Sequence, residues 1–152
     1  MPAATIRRAT AADVEAVQAC VNAAYSHYPE RMGGLMPGPM LGDYAAGIRN
    51  HDAYVLEIEG APAGILVLQH SDDGFLLDNV AVHPEFQKRG LGRRLIAFAE
   101  DEARRVGFEA ISLYTHVSMT ENIALYESLG YVEVERAWVG PYERVLMRKP
   151  LL

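Results

Sequence analysis

The residues best suited to chemistry lie just past the middle of the chain, in a short segment that combines glycine with positive charge. Four of the eight residues 87–94 are basic and none is acidic: Lys88, Arg89, Arg93 and Arg94. Gly90 and Gly92 lie among them and lack the Cβ atoms that would keep an anion away from the backbone. If a helix begins here, its first N–H groups are unpaired and attract negative charge. The segment is therefore predicted to bind a phosphate or pyrophosphate group.

The charge of the remaining chain sets this basic segment apart. The 152 residues include 20 acidic and 14 basic side chains, a formal charge of −6, so the chain outside residues 87–94 carries −10. Because an acidic chain repels phosphate backbones, nucleic acid is not expected as a partner. A simpler interpretation stays open, in which the bases only pair with Glu100, Asp101 and Glu102 further along the same helix.

Other chemistries receive little support from the sequence. A dinucleotide-binding loop would need a third glycine where Leu95 stands. The five histidines and the single cysteine form no spacing typical of metal ligands, and no Gly-x-Ser-x-Gly turn is present for a serine nucleophile. We therefore expect neither a bound metal nor a hydrolase.

The secondary-structure pattern indicates how the glycine segment is positioned. Strands are predicted at 6–8, 53–59, 64–70, 75–82, 111–114, 131–138 and 142–148, and helices at about 10–27, 43–49, 92–106 and 118–129. The order β-α-α-β-β-β-α-β-α-β-β is an α/β (α+β) fold with a mixed sheet and one central, parallel βαβ crossover. Capping boxes are predicted at Thr10–Asp13 and Ser118–Glu121. Residues 29–42, with seven prolines and glycines, are predicted to form one long loop.

Length and composition predict a single domain spanning residues 1–152. Half of the residues are hydrophobic and 22% are charged, which is typical of a globular core. A lone cysteine, Cys20, excludes an intrachain disulfide and fits a reducing compartment. No apolar run is long enough for a signal peptide or a membrane span, so we expect a cytoplasmic protein with no membrane partner.

Three motifs in order resemble one enzyme family. Residues 87–92, Gln-Lys-Arg-Gly-Leu-Gly, are similar to the Gln/Arg-x-x-Gly-x-Gly/Ala loop of the GCN5-related N-acetyltransferases (GNAT). Residues 80–84, Val-Ala-Val-His-Pro, and residues 122–131, Asn-x-x-Leu-Tyr-Glu-x-x-Gly-Tyr, resemble that family's strand and C-terminal helix motifs. The resemblance covers residues 5–149 and implies a GNAT-like fold. It also implies transfer of an acetyl group from acetyl-CoA to an amine, by direct attack in a ternary complex.

The resemblance implies a set of cofactor-binding residues. The backbone of residues 88–93 would wrap the pyrophosphate, with the assigned residues Gln87, Lys88, Arg89, Gly90, Leu91, Gly92 and Arg93. Val80 and Val82 would pair with the pantetheine arm as an added strand does, and an N–H near Val80 or Ala81 would polarise the thioester carbonyl. Asn122 would contact the cofactor arm.

Two catalytic residues are expected within the same framework. Tyr126 is assigned as the acid that protonates the departing thiolate, because a phenol keeps its proton at neutral pH. Asp78 is assigned as the base that takes a proton from the amine, since it is in strand phase with Val80 and Val82. His116 or a water molecule is the alternative base, because the family has no universal base residue.

The acceptor is left open by the sequence. The first two helices and residues 29–42 are expected to form its pocket, lined by Tyr25, Tyr28, Met32, Met36 and Met40. A small amine, an amino acid, an antibiotic or a protein amine would all fit the chemistry, and the acidic remainder favours a cationic acceptor. We allow for a homodimer. The alternative function is a non-catalytic acyl-CoA-binding regulatory module.

Overall fold

A seven-stranded sheet supports the glycine-rich segment. The computed structural model describes residues 4–151, so residues 1–3 and 152 of the predicted domain lie outside the described residues. The strands are β1 (Ala4–Arg8), β2 (Asp52–Ile58), β3 (Ala61–Ser71), β4 (Gly74–Val82), β5 (Ala110–His116), β6 (Val132–Val139) and β7 (Tyr142–Pro150). Their spatial order is β1-β2-β3-β4-β5-β7-β6, and only β4 and β5 are parallel. The predicted mixed sheet with one parallel crossover is confirmed.

Helices cover both faces of this sheet. They are α1 (Val14–Tyr25), α2 (Tyr28–Arg31), α3 (Tyr44–Asn50), α4 (Leu91–Arg105) and α5 (Thr120–Ser128). The buried side chains of α1 and α3 form one cluster with the sheet, and those of α4 and α5 form another. Ile65 and Val67 of β3 belong to the first cluster and Leu66 and Leu68 to the second, because alternate residues of a strand face opposite sides. No helix within residues 4–151 is both long and apolar enough to span a bilayer.

Two local predictions need correction. Residues 29–42 are not one uninterrupted loop, because Pro29 lies in the first turn of α2, where its missing N–H costs nothing, and a short 3-10 helix covers Gly38–Leu41. The capping box at Ser118–Glu121 is wrong. The helix begins at Thr120, and the Ser118 hydroxyl lies 2.8 Å from Nδ1 of His116 instead. The capping box at Thr10 is confirmed, since the N–H of Thr10 donates to the Asp13 carboxylate at 2.7 Å.

Strands β4 and β5 separate soon after they meet. They pair only at Leu76 with Ser112 and at Leu77 with Leu113. Beyond these pairs β4 continues along β3 to Val82, whereas β5 continues along β7. The result is a gap in the sheet that opens toward the carboxyl ends of both strands.

A β-bulge lies where the gap begins. Val67 of β3 pairs with Asn79, whereas its neighbour Leu68 pairs with Leu77, so Asp78 is the extra residue of β4. The bulge reverses the alternation: Leu77 and Val80 contact the same core cluster, and Asn79 faces the other side. The expectation that Asp78 is in phase with Val80 and Val82 is therefore wrong.

Close packing holds α4 against the end of β4. A Cβ atom on Gly64 of β3 would lie 3.0 Å from Cδ1 of Leu95 and 3.1 Å from the carbonyl oxygen of Ala81, so only glycine fits there. Further along α4, the buried carboxylate of Glu100 accepts hydrogen bonds from Lys149 at 2.8 Å and from Tyr131 at 3.0 Å. These contacts fix α4, and with it the glycine-rich segment, relative to the gap.

Candidate active site

The backbone of β4 presents unpaired groups to the gap. The N–H of His83 donates to the carbonyl of Ala63 at 2.8 Å, which makes these two residues a hydrogen-bonded pair of the antiparallel ladder. Because bonded and non-bonded pairs alternate, Ala81 is also bonded to β3, whereas Val80 and Val82 direct their N–H and C=O groups away from it. Of the two N–H groups proposed to polarise a carbonyl, only that of Val80 faces the gap.

The carbonyl groups that face the gap already have partners. The hydroxyl of Tyr25 donates to the carbonyl of Val80 at 3.2 Å. The side-chain amide of Gln87 donates to the carbonyl of Val82 at 3.0 Å and so ties the loop to the strand end. The N–H groups of Val80 and Val82 are left directed into the gap. An extended ligand that carries amide carbonyls would satisfy them.

The glycines of the loop leave room above the first turn of α4. Gly90 precedes the helix with a left-handed φ of 77°, a conformation that favours glycine. Gly92 needs no such freedom, and a Cβ atom there would meet only Cγ2 of Val82 at an ordinary 3.9 Å. Glycine inside a helix costs about 1 kcal/mol relative to alanine. Nothing within the described chain requires glycine at position 92, and the absence of a side chain there keeps the backbone of the first helical turn accessible to a ligand.

The positive charges of the loop are free to meet an anion. Within residues 4–151, the acids further along α4 pair elsewhere: Glu100 with Lys149, Asp101 with Arg104 and Glu102 with Arg105. The alternative that the loop bases pair with these acids is therefore wrong.

Each base of the loop is exposed and none forms an ion pair with a described residue. Arg94 donates to the carbonyl of Ala4 at 2.7 Å, and the guanidinium of Arg89 lies 5.4 Å from the ring centre of Phe86. The loop thus has unneutralised charge, open backbone N–H groups and space, which are the three features that a pyrophosphate group requires. Coenzyme A carries that group together with amide carbonyls for the gap.

A cavity of about 640 Å³ joins the gap to the acceptor side of the molecule. It brings together the proposed residues Asp78, Val80, Asn122, Tyr126 and His116. Residues 87–93 do not line it, because they lie beyond Val82 at the outer end of β4. The arrangement suits a long ligand whose phosphates bind the loop and whose reactive end enters the cavity.

Tyr126 presents a protonated phenol to the cavity. Burial raises its pKa to about 12, and its hydroxyl, which faces the cavity, makes no hydrogen bond to a residue within 4–151. Its ring packs edge-on against Tyr131, with ring centres 5.8 Å apart. The amide of Asn122, one turn earlier on α5, makes only a weak contact with Sδ of Met119 at 3.8 Å. Both polar groups are therefore available to a ligand.

The carboxylate of Asp78 is surrounded by protein but remains accessible to solvent. Desolvation by the surrounding protein raises its pKa, and the effect is partly offset by the neighbouring side chains of Gln69, His51 and Arg144. A raised pKa makes the carboxylate a stronger base than an ordinary aspartate. The bulge directs it toward Gln69 and the α3 side of the cavity.

His116 is disfavoured as the base by its own hydrogen bonds. Its Nδ1 accepts the N–H of Ser118 at 3.1 Å, so the neutral ring carries its proton on Nε2. Burial lowers its pKa, which favours that neutral form. His116 therefore offers the cavity an N–H donor and not a lone pair.

The acceptor side is only partly as predicted. Tyr25 and Met32 line the cavity, whereas Tyr28 donates to Glu121 at 2.8 Å outside it and Met36 and Met40 do not line it.

The sequence analysis missed a buried network and an arginine beside this side of the cavity. The Nδ2 of Asn79 lies 2.6 Å from the hydroxyl of Tyr44. A polar residue at an inward-facing strand position was the available signal for Asn79. Arg144 of β7 also lines the cavity, and no local signal pointed to it.

Comparison with known proteins agrees with this geometry. Residues 16–131 match the acetyltransferase (GNAT) family. The chain belongs to this family.

Individual relatives support the same assignment. The [ribosomal protein bS18]-alanine N-acetyltransferase of Escherichia coli (strain K12) is 38% identical over 80 residues, which are 53% of this chain and 54% of that protein. The IAA acetyltransferase of Azospirillum brasilense is 39% identical over 74 residues, 46% of this chain and 47% of the relative. The chain spans about half the length of the curated relatives that it matches.

Solved structures extend the likeness to nearly the whole fold. The ribosomal-protein-S18-alanine N-acetyltransferase from Escherichia coli superimposes with a TM-score of 0.78 at 25% identity, covering 98% of this chain and 94% of that one. The PaiA N-acetyltransferase from Thermoplasma acidophilum, solved in complex with coenzyme A, has a TM-score of 0.80 at 15% identity, covering 97% and 99%. The predicted GNAT-like fold is confirmed.

We expect Gly92→Glu to weaken coenzyme A binding by on the order of 100-fold without destabilising the fold. The added side chain and negative charge would occupy the space above the helix N-terminus, where an acid also favours the helix itself. Isothermal titration calorimetry gives the affinity, and urea unfolding gives the stability. Ala97→Glu, on an exposed position of the same helix, adds the same charge and serves as the control. An unchanged affinity in Gly92→Glu would remove the loop from the cofactor site.

Proposed function

We propose that this protein transfers the acetyl group of acetyl-CoA to an amine acceptor. The observation that carries the proposal is the meeting of three groups at one cavity: the open N–H of Val80, the protonated Tyr126 and the carboxylate of Asp78. The names of its relatives support the same class of reaction.

The cofactor would lie along the open edge of β4. Backbone N–H groups of residues 88–93, with Lys88 and Arg93, would hold the pyrophosphate. The N–H of Val82 would bind a carbonyl of the pantetheine arm, the N–H of Val80 would meet the thioester carbonyl, and Asn122 would contact the arm from α5. Acetyl-CoA, when bound, supplies an acetyl group activated as a thioester.

The chain's own groups then assist the transfer at three atoms. The N–H of Val80 stabilises negative charge that develops on the carbonyl oxygen, an effect of about 3 kcal/mol for one well-placed donor. Asp78 takes a proton from the incoming ammonium, directly or through water, so that the nitrogen can attack. Tyr126 keeps its proton at neutral pH and donates it to the sulfur as the C–S bond breaks. The nitrogen loses a second proton as it becomes an amide, and this proton restores the phenol. No covalent intermediate on the protein is required.

A non-catalytic acyl-CoA-binding module is the second candidate, because the loop alone would suffice for binding. The free, protonated Tyr126 and the basic Asp78 favour the enzyme. A thiol-release assay with acetyl-CoA and a panel of primary amines separates the two functions. Release stimulated by an amine supports the enzyme, whereas tight CoA binding with no stimulated release by any amine would leave only the binding module.

The predicted homodimer and cytoplasmic location stay predictions. An observation that favours association is the exposure of Val132, Val134 and Trp138 on β6, an edge strand of the described sheet. The partner that we propose is an amine acceptor, and we propose no interaction with nucleic acid or with a membrane.

We expect Tyr126→Phe to lower kcat on the order of 100-fold while the Kd for coenzyme A stays within twofold. The phenol supplies a proton to the leaving group but makes no hydrogen bond within the described chain, so its loss should affect turnover and not folding. Steady-state kinetics and calorimetry measure the two quantities. Tyr54→Phe, at a buried tyrosine that does not line the cavity, is the control. Equal kcat in the wild type and Tyr126→Phe would make Tyr126 a packing residue.

We expect Asp78→Asn to reduce kcat/KM at neutral pH and to abolish the acid limb of its pH profile. The raised pKa of Asp78 places that limb above the ordinary aspartate range near 4, and the rate rises as the carboxyl loses its proton. The raised pKa also means that the folded protein binds this proton more tightly than the unfolded chain. Stability therefore falls as the pH rises through that window.

The same variant thus separates catalysis from structure. At pH 7 Asp78→Asn should be more stable than the wild type in urea and yet less active. Asp72→Asn, in the exposed β3–β4 turn, should change neither property. A more stable Asp78→Asn with the wild-type pH profile would show that Asp78 is not the base.

A further inference from the structure

We infer that the acceptor is a free amino acid whose carboxylate binds Arg144 while its amine lies near Asp78. The inference rests on the proposed acetyl transfer and names the acceptor class of that same cavity. It starts from an arginine that the fold leaves without a partner.

Arg144 is held in place on the floor of the cavity. It lies on β7 directly opposite His116 of β5, so both side chains project from the same face of the sheet. Its guanidinium carbon lies 4.1 Å from the ring centre of Tyr114, which stacks beneath it. A guanidinium fixed in this way loses little conformational entropy when it binds an anion.

No acid neutralises this arginine. Its Nε is buried and has no hydrogen-bond partner, and it is the single buried side-chain nitrogen or oxygen in that condition among residues 4–151. Six other arginines of the described chain pair with carboxylates, namely Arg7, Arg8, Arg31, Arg104, Arg105 and Arg136. The remaining arginines form no ion pair with a described residue, but Arg144 alone among them has a buried nitrogen without a hydrogen-bond partner. A partly buried cation without a counter-ion is costly to keep unless a ligand supplies the negative charge.

Among the described residues that line the cavity, Arg144 is the one arginine or lysine, and the carboxylates are Asp78 and Asp43, of which Asp43 already caps α3 by accepting the N–H of Ala46. Arg144 and Asp78 line the same cavity, yet the two side chains form no ion pair in this structure. A ligand with an ammonium for Asp78 and a carboxylate for Arg144 would satisfy both. The Nε2–H of His116, beside Arg144, is a second donor for the carboxylate.

This arrangement changes the expected acceptor. The acidic balance of the whole chain favoured a cationic amine, but the local charges favour a zwitterion. The N-terminal residue of a protein has no free α-carboxylate, so a protein amine would leave Arg144 unpaired. A free α-amino acid, or a short homologue of one, carries the carboxylate that pairs with Arg144.

The test compares free amino acids with their carboxamides, which share the amine and the side chain but lack the carboxylate. For the wild type we expect kcat/KM to favour the acid by at least about 10-fold, because a charge-assisted hydrogen bond contributes that much or more. The amine of the amide loses its proton more readily, so intrinsic reactivity alone would give the opposite order. In Arg144→Gln the ratio should fall to about one, mainly through a raised KM for the acid. Arg144→Lys should keep part of the preference.

Matched controls and a binding measurement complete the design. Arg104→Gln removes an exposed arginine at the far end of α4 and should keep the wild-type ratio. Calorimetry with N-acetyl amino acids and their amides, in the presence of coenzyme A, measures the same preference without turnover. The wild-type protein should bind an N-acetyl amino acid at least about 10-fold more tightly than its amide, and Arg144→Gln should show no such preference.

The outcomes distinguish this inference from the proposed function. Equal or better acetylation of amides, or an Arg144→Gln variant that keeps the preference for acids, would overturn the carboxylate site and leave acetyl transfer intact. Acetylation of peptide amines but of no free amino acid would likewise overturn the carboxylate site and leave acetyl transfer intact. Failure of every amine to release thiol would overturn the proposed function, and equal binding of both N-acetyl series would then overturn the carboxylate site as well.

Discussion

The separation of β4 from β5 is the constraint on which the site depends. A backbone N–H that faces no strand must find another partner, and β4 directs two such groups, from Val80 and Val82, into the gap. The gap persists because β5 pairs along its whole length with β7, while β4 follows β3 to its end. A ligand that completes the missing strand is the simplest partner, and the loop at the end of β4 provides a place for its phosphates.

Electrostatics divides the cavity into groups with different roles. Burial raises the pKa of Tyr126 and keeps its phenol protonated, whereas desolvation raises the pKa of Asp78 and strengthens it as a base. Both pKa values are raised because the surrounding protein does not pair the charged form of either group, and this lowers the stability of the fold. Arg144 bears the same cost as an unpaired cation. Such costs are typical of sites that are completed by their substrates.

The sequence predicted features that depend on near neighbours and missed those that depend on pairing between distant strands. Gly90, Gly92 and the bases between residues 87 and 94 form a local pattern, so the loop and its helix could be located directly. The phase of Asp78 could not, because the bulge arises from how β3 pairs with β4. Arg144 lies far along the chain from Asp78, and only the pairing of β5 with β7 brings it to the cavity. The Ser118 capping box had the right residues, but the Ser118 hydroxyl bonds His116 instead.

Amide hydrogen exchange at Val80 and Val82, measured by NMR with and without acetyl-CoA, tests the central claim most directly. Ala81 is the internal reference, because its N–H already bonds to β3. Saturating acetyl-CoA should slow exchange at Val80 and Val82 by at least about 10-fold more than at Ala81, since new hydrogen bonds would form only at the two open groups. Equal slowing at all three residues in the saturated protein would show that the cofactor does not pair with β4.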